Sequence, residues 1–325
     1  MASSDEPLVV RVMREYRDAL EGMEAGVMDD MGRRWLQIEA RLQADIGELE
    51  REMLAAQAKG QVVTVQLMWR SERYQRIKQI LDEELKKYNR DFLVPTISQA
   101  QVEYGVLGVN SATAAIRASY TTKVAPWFPV INRDAVETMA GFLSNGAPLA
   151  SLLKRDFPEA LDGLSNALMN GIARGLGPGR LAQQMADGMG MGLDRALVIA
   201  RTETNRTYRE ASMRQYRQSN VVRGFKRLVK KATACMACLM KDGEKFLTKD
   251  DLYDHPSGKC VAVPLVVGVA DPRWTGGMEY FKALSPEEQQ ARMGGEKYEL
   301  WKSGGFKLEE LAKTSHSSEW GDAPR

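Results

Sequence analysis

Apolar residues in the first third of the chain recur at steps of three and four: Trp35, Ile38, Leu42, Ile46, Leu49 and Met53, with Glu, Arg, Asp and Gln between them. That period lays one apolar stripe along one face of a helix. Lys59-Gly60 ends it, as a basic residue followed by glycine does at a helix C-terminus. A second stripe carries Leu67, Tyr74, Ile77, Ile80, Leu81, Leu85 and Tyr88 and is interrupted at Pro95. Burying the stripes against each other predicts a helical hairpin, with core packing as their role. The two prolines of Ala125-Pro126-Trp127-Phe128-Pro129 disfavour helix and mark a boundary.

Shorter helical pieces follow, punctuated by Gly146-Ala147-Pro148, Gly175-Leu176-Gly177-Pro178-Gly179 and Gly188-Met189-Gly190-Met191-Gly192. These glycines read as turns. They lack Gly-Lys-Ser/Thr and a preceding apolar strand, so no phosphate-binding loop is predicted. Pro178 to Met185 reads as a short helix entered through proline, and a longer one runs from about Leu193 to about Gln218. The last hundred residues change character. Val261 to Val267 is a β-branched run broken by Pro264, with Phe225 to Val229 as a candidate partner strand. Ser285-Pro286-Glu287-Glu288 signals a helix start, Phe306 to Ala312 a second short helix, and Thr314 to Arg325 a polar, mobile tail. The predicted fold class is mainly α. A long N-terminal helical hairpin region occupies residues 1–125 and a helical middle domain with a basic helix 126–222. A small α+β zinc-stabilised module occupies 223–313 and the polar tail 314–325.

With 325 residues, 44% hydrophobic and 27% charged, the composition is that of an ordinary globular protein of two or three domains. No run approaches the roughly 18 apolar residues of a membrane helix, and no basic segment precedes an apolar core at the N-terminus, so neither a span nor a signal peptide is expected. Three cysteines argue against a disulfide scaffold and for a reducing cytoplasm during synthesis.

All three cysteines, Cys235, Cys238 and Cys260, fall in one short window with His255, one of only two histidines. Four Cys or His ligands close a tetrahedral zinc site, and two pairs at either end of a loop can do so. The segment between Cys238 and Cys260 is rich in charge (Lys241, Asp242, Glu244, Lys245, Lys249, Asp250, Asp251) and poor in apolar residues, so a metal cross-link would hold what burial alone could not. That is the favoured, structural reading. A catalytic ion would need an open position and a general base, for which Glu203, Asp242 and Asp254 are the carboxylate options. The absence of His-x-Glu excludes the deaminase pattern. The spacing matches no standard zinc finger, so a site without metal stays open.

Between Arg201 and Lys231 ten cations face only Glu203 and Glu210. Arg206, Arg209, Arg214 and Arg217 share one broad helical face, with Leu197, Thr204, Tyr208 and Ala211 opposite; Arg223, Lys226, Arg227, Lys230 and Lys231 continue the run. These nine are candidate contacts to nucleic acid or an acidic partner, by phosphate or carboxylate and without base specificity. The competing reading is a solvated face tied to its own acidic neighbours.

The run Ala200-Arg201-Thr202-Glu203-Thr204-Asn205-Arg206-Thr207-Tyr208-Arg209-Glu210-Ala211, then Tyr216, Gly224-Phe225, Cys235-x-x-Cys238, Asp242-Gly243-x-x-Phe246 and His255-Pro256-Ser257-Gly258-Lys259-Cys260, resembles the phage head morphogenesis family, the minor head proteins similar to protein F of phage Mu. The likeness runs on through Trp274-Thr275-Gly276, Tyr280-Phe281 and Gly295 to Gly304, and covers about residues 129–312. Many members have an aspartate shortly before the first cysteine, where this chain has Lys230, Lys231 and Thr233. Many have a further cysteine where it has Gly258. The resemblance implies a virion protein of a tailed-phage head, made in the host cytoplasm. It would associate with portal and capsid or scaffold and contact packaged double-stranded DNA during assembly, packaging or ejection. It implies no small-molecule substrate and no membrane, and it places the metal ligands at Cys235, Cys238, His255 and Cys260; some relatives carry an extra C-terminal toxin domain, which is not expected here because the chain ends soon after the matching region. The alternative is a metal-dependent hydrolase, a nuclease or peptidase of head maturation, with Glu203 as base. A transcription factor is disfavoured, because no recognition helix accompanies the cysteines.

Overall fold

Helix α1 (Leu8–Ala58) and helix α3 (Glu72–Lys87) bury the two apolar stripes that their periodicity marks. Trp35, Ile38, Leu42, Ile46, Leu49 and Met53 are buried on the first, and Tyr74, Ile77, Leu81 and Leu85 on the second. The computed structural model describes residues 6–121, 124–143, 146–156, 162–163, 165–167, 170–171, 174, 176, 178–317 and 321–324. They form a mainly helical chain with a small sheet late in the sequence. The chain divides into two compact units. One comprises Glu24–Ser98 and Ala147–Ala200, the other Met1–Met23, Gln99–Gly146 and Arg201–Arg325.

In the first unit α1 and α3 run antiparallel. Arg41 pairs with Glu84 at 2.7 Å, Arg73 reaches Glu52 at 2.9 Å, and the Tyr88 hydroxyl donates to the Met31 carbonyl at 2.9 Å. Gly60 has a φ of +75°, a left-handed turn that glycine adopts without strain. Thr64 and Ser71 cap the N-termini of α2 (Val65–Arg70) and α3. Pro95 does not end the second stripe. A π-helical turn, Tyr88–Leu93, precedes α4 (Val94–Ser119), and the Val94 amide bonds back five residues to Asn89. The widened turn accommodates a ring that lacks an N–H.

The glycines at 188, 190 and 192 are not a turn either. Helix α7, after α5 (Arg133–Glu137) and α6 (Leu149–Asp156), runs unbroken over Pro178–Ser219. The reason is packing: a Cβ on Gly188 would collide with the Gly163 backbone. Glycine here serves a close backbone approach that outweighs its poor helix propensity. Gly175 and Gly177 lie outside the described residues.

In the second unit α4 and α7 cross at Gly108, where a Cβ would strike the Tyr208 carbonyl. Tyr208 hydroxyl and Ser111 hydroxyl are 2.8 Å apart, and Ser212 donates to the Gly108 carbonyl at 3.0 Å. Buried Gln215 holds the proline-rich strap, accepting from Ile131 N–H and donating to Pro129 O, both at 2.9 Å.

Strands β1 (Val222–Leu228), β2 (Lys245–Leu247) and β3 (Val261–Val266) form an antiparallel sheet in the order β2-β1-β3, with α8 (Met236–Met240) between β1 and β2. Phe225 pairs with Phe246 on one side and Pro264 on the other. Pro264 is tolerated because β3 is an edge strand. Val222, Phe225, Ala262 and Val266 pack with Ala112, Ile116, Met213 and Tyr216 into the core between sheet and helices.

Helices α9 (Gly277–Lys282), α10 (Pro286–Met293) and α11 (Gly295–Lys302) gather Phe281, Met293, Tyr298 and Leu308 into a satellite cluster. Ser285 and Glu288 complete a capping box at α10. Leu308–Leu311 is a 3₁₀ turn where a short helix was expected. The polar C-terminus, expected as a tail, pairs Thr314–Ser317 (β4) with Gly321–Pro324 (β5).

Candidate metal centre

Beyond β1, the turn over Lys230–Ala234 delivers Cys235 to the N-cap of α8. Its backbone is extended, and its Sγ accepts from the Cys238 amide at 3.4 Å. The Cys-x-x-Cys spacing is thus one capped helical turn, which puts both sulfurs on the same side. The loop from His255 to Cys260 leads directly into β3. It turns through Ser257 at φ +61° and a Gly258 N–H to His255 O bond of 2.8 Å.

The two segments bring Cys235, Cys238 and His255 into one group and Cys238, Asp254 and Cys260 into a second that shares Cys238. Cys235 Sγ lies 3.5 Å from His255 Nε2, and Cys238 Sγ lies 3.7 Å from Cys260 Sγ. Two sulfurs on one tetrahedral zinc ion stand about 3.8 Å apart and a sulfur and a nitrogen about 3.6 Å apart, from bond lengths near 2.3 and 2.0 Å. Both observed spacings match. His255 Nδ1 lies 2.9 Å from the Pro256 carbonyl, which fixes the proton on Nδ1 and leaves Nε2 as the donor atom. Two overlapping groups, Cys235/Cys238/His255 and Cys238/Asp254/Cys260, have the proximity needed to hold an ion. The three cysteines are free thiols, with Cys238 and Cys260 buried and Cys235 exposed.

Without a cation the cluster carries charge unevenly. The Cys238 thiol, assisted by His255, holds Cys235 down at about 4 against a smaller desolvation effect. The hydrogen bond to Cys235 in turn lifts His255 to about 9. Cys238 is pushed up, first by its bond to Cys235 and then by Cys260 and burial. One thiolate therefore forms readily, at Cys235, while its neighbours keep Cys238 protonated.

Asp254, which the residue spacing did not single out as part of the cluster, is its organising carboxylate. Buried among the ligands, it accepts from the His255 amide at 3.0 Å and the Cys260 amide at 2.9 Å, with Cys238 Sγ at 3.6 Å. Burial works against its charge, but Arg209 and Arg227, at 3.9 and 3.8 Å, overcome this and hold its pKa below the usual carboxylate value. A Cβ on Gly258 would overlap the Asp254 carboxylate. Glycine is what lets this carboxylate sit there. The signal was in the sequence as Asp254 next to His255, but only the fold shows which cations face it.

The cations of the basic run have internal partners. Arg209 and Arg227 are buried; they donate to Gly258 O at 3.0 Å and Tyr253 O at 2.7 Å. Arg206 bonds Glu203, Glu210 and Phe142 O. Lys230 pairs with Glu21, and Lys231 with Asp242 at 3.8 Å. Lys226 donates to Pro272 O at 2.8 Å. The exposed members Arg214, Arg217 and Arg223 pair with Glu210, Asp251 and Asp271. The three carboxylates considered as general bases are enclosed: Glu203 bonds Arg206, Asp242 accepts from Val229 N–H and Trp274 Nε1, and Asp254 is held as above. A cavity of about 250 Å³ opens beside Cys235 and His255, lined also by Glu21, Lys230 and Lys259.

Fold and site together define a mainly helical protein whose small sheet carries a cysteine–histidine cluster able to hold a metal. Residues 162–261 match the family described as Phage Mu protein F like protein. Over that stretch, which includes all four candidate ligands, the chain is similar to phage head morphogenesis proteins. No curated protein and no solved structure matches it. Among the described residues no helix is long and apolar enough to cross a membrane.

Proposed function

We propose that the chain is a non-enzymatic minor component of a tailed-phage head that associates with the portal and with packaged DNA. The observation that carries this is the family match over residues 162–261, which spans both the polar helix α7 and the ligand loop. The enclosure of Glu203, Asp242 and Asp254 supports a non-catalytic role, since a general base must reach a water or substrate proton. Arg214, Arg217 and Arg223 are the cations of the basic run open for phosphate contact, because exposed ion pairs exchange partners at little cost. Cross-linking with mass spectrometry on assembled particles tests the reading. Links from this chain to portal protein and to DNA are expected, and their absence in particles that contain the chain would refute it.

The cluster is read as a structural zinc site with Cys235, Cys238, His255 and Cys260 as ligands. The Cys235–His255 and Cys238–Cys260 spacings are those of ligand pairs on one zinc ion, and the donors are those zinc prefers. The ion would join α8 to the loop before β3 and hold a segment with few apolar residues of its own. Elemental analysis of the purified protein, with unfolding followed before and after chelation, is expected to show one zinc per chain and a lower melting temperature once it is removed.

A further inference from the structure

Two buried arginines beside a cluster of neutral thiols would be a liability. Burying a charge costs several kcal/mol unless an opposite charge meets it. Arg209 and Arg227 come from different elements, α7 and β1, yet both guanidiniums face Asp254, at 3.9 and 3.8 Å. Asp254 is one anion for two cations. Nε and Nη1 of Arg227 are buried without a hydrogen-bond partner in the protein. A buried positive charge is left over.

We propose that Arg209 and Arg227 are the built-in counter-charges of an anionic metal centre, matched to one divalent ion bound by three thiolates and a neutral imidazole. The inventory closes. Three thiolates and Asp254 bring four negative charges; a divalent ion and two guanidiniums bring four positive ones. The Lys230–Glu21 pair at the cavity mouth is neutral by itself and leaves the balance unchanged. With a divalent ion bound, three thiolates are the number that cancels the two guanidiniums and Asp254; with the site empty, a single thiolate does so. The two guanidiniums, facing Asp254 at 3.9 and 3.8 Å, therefore favour the net-anionic, metal-loaded centre, although neither touches the ion. They are positioning residues, acting through Asp254 and the loop carbonyls of Tyr253 and Gly258.

This rests on the zinc reading above, and the experiment separates the two. Zinc affinity is measured on the full chain by competition with a chromophoric chelator. Cobalt substitution reports thiolate ligation through its charge-transfer absorption, and circular dichroism reports folding. Arg209→Gln and Arg227→Gln are each expected to weaken zinc binding roughly tenfold or more and to reduce the cobalt–thiolate band. Arg209→Lys, which keeps the charge, should bind more tightly than Arg209→Gln. The decisive variant is Arg209→Gln combined with Asp254→Asn, which removes one charge of each sign. Charge matching predicts that it regains affinity relative to Arg209→Gln alone, whereas a purely structural role predicts a further loss. If the wild type binds no stoichiometric metal, the zinc reading itself fails. If it binds metal but the single glutamine variants stay within about threefold of it, or the double variant is no better than Arg209→Gln, the counter-charge proposal is overturned. If the glutamine variants do not fold without metal, their affinity for zinc on refolding is compared in the same order and decides in the same way.

Discussion

Replacing Gly258 by alanine adds one methyl group to an exposed-looking loop, yet the structure makes it one of the costliest small changes available. The new Cβ would lie inside van der Waals contact with three atoms of the Asp254 carboxyl group. That carboxylate has nowhere to go. It is buried, held by the amides of His255 and Cys260 at 3.0 and 2.9 Å, and faced by Arg209 and Arg227. Either the carboxylate is pushed off two charged hydrogen bonds or the loop lifts away from it. Disrupting a buried, hydrogen-bonded ion network in this way costs about 3–5 kcal/mol. Alkylation of the buried thiols Cys238 and Cys260 in chelator, followed by mass spectrometry, reads the local opening. At about 1.4 kcal/mol per factor of ten, the rate should rise by roughly a hundredfold to a few thousandfold. Exposed Cys235 serves as internal control and should change little. A rise of less than about fivefold at Cys238 and Cys260 would refute the claim that Asp254 is fixed by its surroundings.

Gly188→Ala should destabilise the helical unit that contains it by several kcal/mol, because its Cβ would meet the Gly163 backbone. Gly190→Ala, which meets nothing within 4 Å, should stabilise the same helix by about 0.5–1 kcal/mol; urea unfolding of the two variants is expected to move in opposite directions. Ser285→Ala removes the capping box of α10 and should cost about 1 kcal/mol, seen as faster amide exchange in its first turn. Asp271 is held below its ordinary pKa by Lys245, 2.7 Å away, and by Arg223. A carboxylate with a depressed folded pKa contributes stability above its unfolded value that is lost as pH falls. The melting-temperature gap between wild type and Asp271→Asn should therefore be full at about pH 6 and shrink progressively as the pH falls below the ordinary carboxylate range; a gap independent of pH would contradict it.

Legibility followed the range of the interactions involved. The stripes on α1 and α3, the cap at Ser285 and the proline-tolerant edge strand β3 are local patterns, and periodicity and capping chemistry announce them within a few residues. The four candidate ligands were likewise visible, because cysteine and histidine are scarce in this chain and clustered. Glycine misled where its reason was a distant backbone: Gly188 reads as a turn until Gly163 is found against it. The basic run misled in the same way. Counting charges from Arg201 to Lys231 shows ten cations and two acids, but the anions that meet Arg209, Arg227 and Lys230 are Asp254 and Glu21, remote in sequence.

Residue order by itself settled that the chain is mainly helical, that its thiols share one short segment, and that this segment resembles phage head proteins; each depends on neighbours a few positions apart. Only the tertiary structure decided that Asp254 lies at the centre of the cluster, that two arginines face inward instead of toward a partner, and that Gly258 must lack a side chain. A buried charge is stable only beside its counter-charge, and that requirement is met by whichever elements the fold brings together, at separations no local pattern encodes.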